Sequence, residues 1–285
     1  MGQPWTMVGL GLMGTALVER WLEAGRTVRV WNRSPEKAAV LTDRGAVWTD
    51  SPFAEGGTVI VSLYSSDVVD EVLRRFEGDL RSGTTIVDTT TGNPEDALRF
   101  AEQLAGRGIA YLDAPISGSS EQTRRGEATA MVGGNRATFD ACVELWPLVA
   151  KHVFYCGPTG SASRMKLVTN LVLGLNRAAL AEGLAFAEAT GVDPRAALEV
   201  LRGSAAYSRQ MDAKGEKMLA GEYAPVARLS QHLKDVRLML AAAKMCGLEL
   251  PLSQTHRELL ERAESAGWGD LDNSAIRRVW ERRTP

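Results

Sequence analysis

The sequence predicts an α/β domain with a mostly parallel sheet, followed by an all-α domain led by a long interdomain helix. Three observations carry this. Short runs rich in Val, Ile and Thr alternate with helix-spaced segments over the first 160 residues. A glycine-rich turn joins the first of those runs to the first helical stretch. The β signal then stops near Gly160, and only helical periodicity remains. The predicted domains are therefore 1–160 and 161–285.

Five strand-like runs, 6–8, 27–31, 58–62, 84–88 and 109–112, are interleaved with helical stretches at 13–24, 35–44, 68–76 and 94–106. Parallel strands need a crossover, usually a helix, so this alternation builds a parallel sheet covered on both faces. Two further strands, 128–132 and 152–155, flank a helix over 137–149. Residues 161–190 read as one helix, stopped by Gly191 where a left-handed cap belongs. Asp193 then caps a helix with Pro194 in its first position. Residues 230–246 form another helix, ended by Gly247. One more runs through 256–266, and Asp272 caps the last. The long helix is apolar around most of its circumference at 167–175, which predicts burial on several sides, between the domains or inside an oligomer.

The 285 residues are 45% apolar and 24% charged, an ordinary globular usage that excludes disordered and membrane-spanning classes. A formal net charge of -2 argues against a nucleic-acid partner held by bulk electrostatics. Cys142, Cys156 and Cys246 lie far apart without a CxxC, and His152, His232 and His256 lack metal-ligand spacing. Neither a disulfide nor a metal is expected. The apolar stretch at 7–13 has no basic flank and is broken by glycines, so a cytoplasmic location is expected.

Gly9-Leu10-Gly11-Leu12-Met13-Gly14 follows the first strand and opens the first helix. Gly9 permits the tight turn, Gly11 lets backbone approach a pyrophosphate, and Gly14 allows close helix–strand packing. Amides at the helix start then face the phosphate charge. This is the fingerprint of a Rossmann-type dinucleotide site. After the second strand, Asn32 stands where an acidic residue holds a free ribose 2′-OH, and Arg33 and Ser34 follow. A neutral amide beside a guanidinium and a hydroxyl suits a 2′-phosphate, so NADP is expected over NAD.

Lys166 and Asn170 are one helical turn apart in the most apolar part of the long helix. Burying them costs free energy unless something uses them. Burial beside another cation moves a lysine toward the neutral form that acid–base work requires. A snorkelling lysine is the structural alternative. The segment 113–119, with Ser117, Gly118 and Ser119, follows the fifth strand, where ligands sit beyond the carboxyl ends of parallel strands. Its small residues can present N–H groups to a carboxylate, and a plain turn is the structural alternative.

Together these segments resemble the β-hydroxyacid dehydrogenase family, which includes 3-hydroxyisobutyrate dehydrogenases and tartronate semialdehyde or glyoxylate reductases. GLGLMG at 9–14 matches the cofactor fingerprint, and DAPISGS at 113–119 resembles the substrate signature. GPTGSASRMKLVTN at 157–170 resembles the catalytic signature, and KDVRLML at 234–240 the C-terminal one. The resemblance implies a second half like the 6-phosphogluconate dehydrogenase C-terminal domain and a homodimer or higher oligomer. It implies Lys166 as catalytic residue and Asn170 as its partner in placing substrate. Ser117 and Gly118 would hold a substrate carboxylate, with Ser119 beside them. Lys234 would close over nicotinamide and substrate, and Leu63, Tyr64 and Thr91 would line the cofactor.

Four positions depart from the pattern. Ser119 and Ala162 replace glycines, Thr169 replaces an asparagine, and Tyr64 stands where proline is frequent. WNRSPEKA at 31–38 also resembles the related imine reductases, but the retained Lys166 argues for a carbonyl or alcohol substrate. The expected activity is NADP(H)-dependent hydride transfer to or from a small, carboxylated semialdehyde, hydroxy acid or glyoxylate-like acid. An imine reductase and a catalytically inactive nucleotide-binding protein are the alternatives.

Overall fold

A computed structural model describes residues 4–281. The chain forms two compact units, one up to Lys166 and one from Leu167 onward.

The strands of the first unit are β1 (Trp5–Val8), β2 (Val28–Trp31), β3 (Val47–Trp48), β4 (Thr58–Val61), β5 (Thr85–Asp88), β6 (Ala110–Asp113), β7 (Ile116–Ser117), β8 (Thr129–Gly134) and β9 (His152–Gly157). They make one sheet in the order β3-β2-β1-β4-β5-β6-β8-β7, with β9 also pairing β8. β8 runs antiparallel to β6 and β7, and the remaining pairs are parallel. The order 3-2-1-4-5-6 reverses direction between β1 and β4. In an open α/β sheet that reversal leaves a ligand crevice at the carboxyl ends of the strands.

The helices of this unit are α1 (Leu12–Glu23), α2 (Ala39–Thr42), α3 (Ser66–Arg75), α4 (Pro94–Ala105), α5 (Ser120–Arg124), α6 (Arg136–Ala141) and α7 (Trp146–Val149). Leu17, Val18 and Trp21 of α1 and Trp146 of α7 pack with Met7 and Val30 in one apolar cluster. Val69 and Val72 of α3 and Phe100 of α4 pack with Val8, Val61 and Ile86 in another. Adjacent Met7 and Val8 fall in different clusters because strand side chains alternate between faces. Each such burial stabilises by about 1.5–3 kcal/mol.

The second unit continues α8 (Ser161–Ala189) and adds α9 (Pro194–Arg202), α10 (Arg209–Ala220), α11 (Leu229–Met245) and α12 (Pro251–Ala263). Its core joins Leu180, Leu184, Leu198, Leu233, Val236, Leu260 and Ile276. Gly191 takes φ +81°, and Asp193 accepts from Arg195 N ahead of Pro194, as the sequence predicts. Among the described residues, no helix is long and apolar enough to cross a membrane.

Several features differ from expectation, and the two-residue strands β3 and β7 and the short α5 have no predicted counterpart. The helix predicted over 137–149 is broken into α6 and α7, with Pro147 in the first turn of the second, where its missing N–H costs nothing. α10 has no counterpart in the prediction, since Gln210, Lys214 and Gly215 share its buried face with only two methionines. Finally, α8 is not covered all round by its own chain: Val168 and Val172 are 57% and 53% exposed, and Met165 and Phe186 are exposed on the same side. Neighbouring helices press instead on Gly174, where a Cβ would strike His232 of α11 and lie 2.9 Å from His256 Cε1 of α12.

Candidate active site

After β1 the chain turns through Gly9 at φ +102°, a conformation that favours glycine. A Cβ there would strike the Ser62 carbonyl just past β4, so the two strand ends crowd the crevice. A Cβ on Gly14 would strike the Gly9 carbonyl, whereas one on Gly11 would meet nothing within 4 Å. Packing therefore demands glycine at 9 and 14. At Gly11 the small residue leaves open backbone at the start of a twelve-residue helix that has no side-chain cap. Leu12 and Met13 begin that helix. These residues fit a pyrophosphate.

Asn32 Oδ1 accepts from Leu10 N at 2.9 Å, and its Nδ2 donates to Ser34 O at 3.0 Å. The amide thus braces the turn after β2 against the glycine loop. Arg33 is exposed and Ser34 half-buried on that turn. At the next strand ends, Leu63 N donates to Thr90 Oγ1 at 3.0 Å, and Thr90 N donates to Asp88 Oδ1 at 2.9 Å. Tyr111 Oη donates to the other Asp88 oxygen at 2.8 Å. The turns carrying Leu63–Tyr64 and Thr91 are thereby tied together. Burial raises Asp88 to about 6, against the lowering effect of the Thr90 and Tyr111 hydrogen bonds.

Ser117 ends β7, and Gly118 follows at φ +152°. Ser119 caps α5: its Oγ accepts from Gln122 N, and its own N–H donates to Gln122 Oε1. Its side chain is therefore engaged in a capping box. Asp113, at the end of β6, accepts from Gly160 N at 3.0 Å, Ser163 N at 2.8 Å and Ser163 Oγ at 3.1 Å. Its carboxyl, raised by burial against those bonds, caps α8 and ties its first turn to the sheet's carboxyl edge. Lys166 follows three residues later and is 6% exposed.

One turn on, Asn170 is also buried, and its Nδ2 donates to Asp235 Oδ2 at 2.9 Å. Lys234 Nζ lies 3.3 Å from Asp235 Oδ1. Asp235 therefore gathers two predicted site residues, and sequence reading did not single it out. Its only signal was its place beside Lys234 in the C-terminal motif.

A further polar nest lies in the helical core. Lys214 Nζ donates to Asp272 at 2.7 Å. Burial raises Asp272, but the Lys214 charge and hydrogen bond, with those from Ser274, bring it down to about 2. Burial lowers Arg177 to about 10, opposed by Asp272 and Asp235. His256 falls to about 3 through burial and the Arg177 charge. No cluster of metal-ligating side chains occurs among the described residues.

Comparison with known proteins matches residues 5–157 to the NAD binding domain of 6-phosphogluconate dehydrogenase. Residues 160–280 match the family described as NAD-binding of NADP-dependent 3-hydroxyisobutyrate dehydrogenase. The 2-hydroxy-3-oxopropionate reductase of Escherichia coli (strain K12) is 33% identical, covering 94% of each chain. The 2-(hydroxymethyl)glutarate dehydrogenase of Eubacterium barkeri is 31% identical, over 97% of this chain and 94% of the relative. A crystal structure of 3-hydroxyisobutyrate dehydrogenase from Salmonella typhimurium superposes with a TM-score of 0.89 at 27% identity, covering 98% of this chain and all of the other.

Proposed function

The chain belongs to the β-hydroxyacid dehydrogenase family and is a nicotinamide-dependent oxidoreductase; from that premise we propose an NADP(H) enzyme for small carboxylated substrates. Its substrate is a semialdehyde, a β-hydroxy acid or a glyoxylate-like acid. Gly9–Gly14, Leu63, Tyr64 and Thr91 hold the cofactor, and Arg33 and Ser34 grip its 2′-phosphate. Asn32 supports this preference because it is uncharged and its amide is already engaged with Leu10 and Ser34.

When bound, the nicotinamide supplies or accepts the hydride. Lys166 donates a proton to the substrate oxygen in reduction and takes it back in oxidation. Asn170 orients that oxygen, its amide held against rotation by Asp235. Ser117 and Gly118 receive the carboxylate, and Lys234 closes over the reacting groups. The supporting observation is the Asp113 cap, which ties the turn before the buried Lys166 to the end of β6. Residues 1–160 serve as the cofactor domain and 161–285 as the substrate and dimerisation domain. The exposed apolar side of α8, with Val168 and Val172, is the subunit contact in this reading. The free thiols of Cys142, Cys156 and Cys246 suit a reducing compartment such as the cytoplasm.

The test is NADPH oxidation, read as kcat/KM, with succinic semialdehyde, butanal and a simple pyrroline. The acid should exceed butanal by about tenfold or more, because polar groups built for a charge are left unpaired by its neutral analogue. Faster turnover of the pyrroline would make this an imine reductase. Cofactor binding without turnover across a broad panel would make it a nucleotide-binding protein.

A further inference from the structure

The turn assigned to the substrate carboxylate is closed on itself by a residue with no role so far. Ser119 N donates to Gln122 Oε1 at 2.8 Å, and Gln122 N donates to Ser119 Oγ at 3.1 Å. A glycine at position 119 would have no hydroxyl for the second bond. A Cβ built on Gly118 would lie 3.5 Å from Gln122 Oε1, so the glutamine amide borders the turn itself.

Only five residues long, α5 offers no anion site of its own. Thr123 N donates to Ser119 O at 2.9 Å, which closes a third of its leading amides. The helix is also anchored. Thr123 Oγ1 donates to Ser119 O at 3.0 Å and lies 3.1 Å from Met13 Sδ in α1, while Arg124 pairs with Glu19 at 2.6 Å. The box is therefore fixed against the helix that carries the glycine loop.

We propose that Gln122 is a specificity-determining residue, which withholds the Ser119 N–H from the substrate and so limits the turn's preference for a carboxylate. This rests on the reading that Ser117 and Gly118 face that carboxylate. Hydrogen bonds to a charged acceptor are stronger than those to a neutral one, so a withheld N–H costs an anion more than an amide or hydroxyl. The substrate class widens accordingly. Besides small carboxylated carbonyl compounds, the site accepts those with a neutral polar group at the same end.

Two substitutions separate this from simple helix capping. Gln122→Ala opens the box and releases the Ser119 N–H. Gln122→Glu keeps it, because glutamate serves the same position in a capping box, but sets a negative charge beside Gly118. KM and kcat are measured separately for succinic semialdehyde and for its neutral isostere 4-oxobutanamide, at saturating NADPH. The alanine variant should lower KM for the acid by about fivefold, and the glutamate variant should raise it by at least about tenfold. KM for the amide, and kcat for both, should stay within about twofold. If both substrates shift together, or neither shifts while the melting temperature falls, the box is only a cap and the proposal is overturned. Ser117→Ala separates the two layers of the argument. If it abolishes the acid-over-amide preference while both Gln122 variants leave it intact, only the role of Gln122 fails. If it leaves that preference intact and the Gln122 variants do too, the carboxylate reading of the turn falls with it.

Discussion

In the proposed NADP site, Asn32 and Arg33 take the place of the one acidic residue that sheets built for a free ribose hydroxyl carry. The amide of Asn32 is occupied on both sides, by Leu10 N and Ser34 O, and contributes shape rather than charge. Arg33 is exposed, and the proposal assigns it to the 2′-phosphate. Arg33→Ala should weaken NADPH binding by about 1–3 kcal/mol, the range for hydrogen bonds to a charged group, and barely change NADH. Titration of both cofactors by fluorescence checks this, and equal losses would remove Arg33 from phosphate recognition. Asp235 is the residue that sequence reading passed over. It accepts from Asn170, 65 positions earlier in the chain, a pairing that no local periodicity encodes, and it lies against its sequence neighbour Lys234. Asp235→Ala should lower kcat more than it raises KM for NADPH, because it releases the groups that orient the substrate oxygen and leaves the dinucleotide turn untouched. An unchanged kcat would make Asp235 a structural partner only.

The elements legible in the sequence are those whose signal is local. The strands from β1 to β6, apart from two-residue β3, are short, mostly apolar runs between glycine or polar turns, and α1 follows its glycine loop at the expected place. Gly191 and Asp193 mark their helix ends through backbone conformation and side-chain capping, both readable from residue type. What escaped is set by distant partners. α10 buries Lys214, which Asp272, 58 positions on, makes tolerable. The start of α8 was read from the loss of β signal, but its placement comes from Asp113, about 50 positions earlier. Asp113→Ala removes the carboxylate from three donors and should lower the melting temperature and kcat together, while Asp113→Asn, which keeps acceptor oxygen, should do less of both. If the alanine variant loses stability but retains full kcat, the cap does not position Lys166.

At the scale of the whole molecule, buried titratable groups give the two units opposite responses to acid. His256, held near 3 in the fold against 6.5 when unfolded, contributes stability that is complete above 6.5 and declines as pH falls toward 3. Asp272, held near 2 against 3.8, adds to that loss only below 3.8. Asp88 works in the other direction: raised to about 6, it binds its proton more tightly in the fold, so its contribution grows as pH falls from 6 to 3.8. Hydrogen exchange followed from about pH 7 to about pH 5 should show protection falling in the helical unit while the sheet unit holds or gains, with the fall reduced in His256→Gln. Parallel loss in both units, unaffected by His256→Gln, would contradict this assignment. The central proposal is a carbonyl reductase whose proton passes through Lys166. The most direct measurement is the steady-state rate of NADPH oxidation by Lys166→Ala with succinic semialdehyde, beside a fluorescence titration of NADPH. The account predicts an unchanged Kd for NADPH and a kcat reduced by about two to four orders of magnitude; a variant that binds NADPH and turns over at a near-native rate would contradict it.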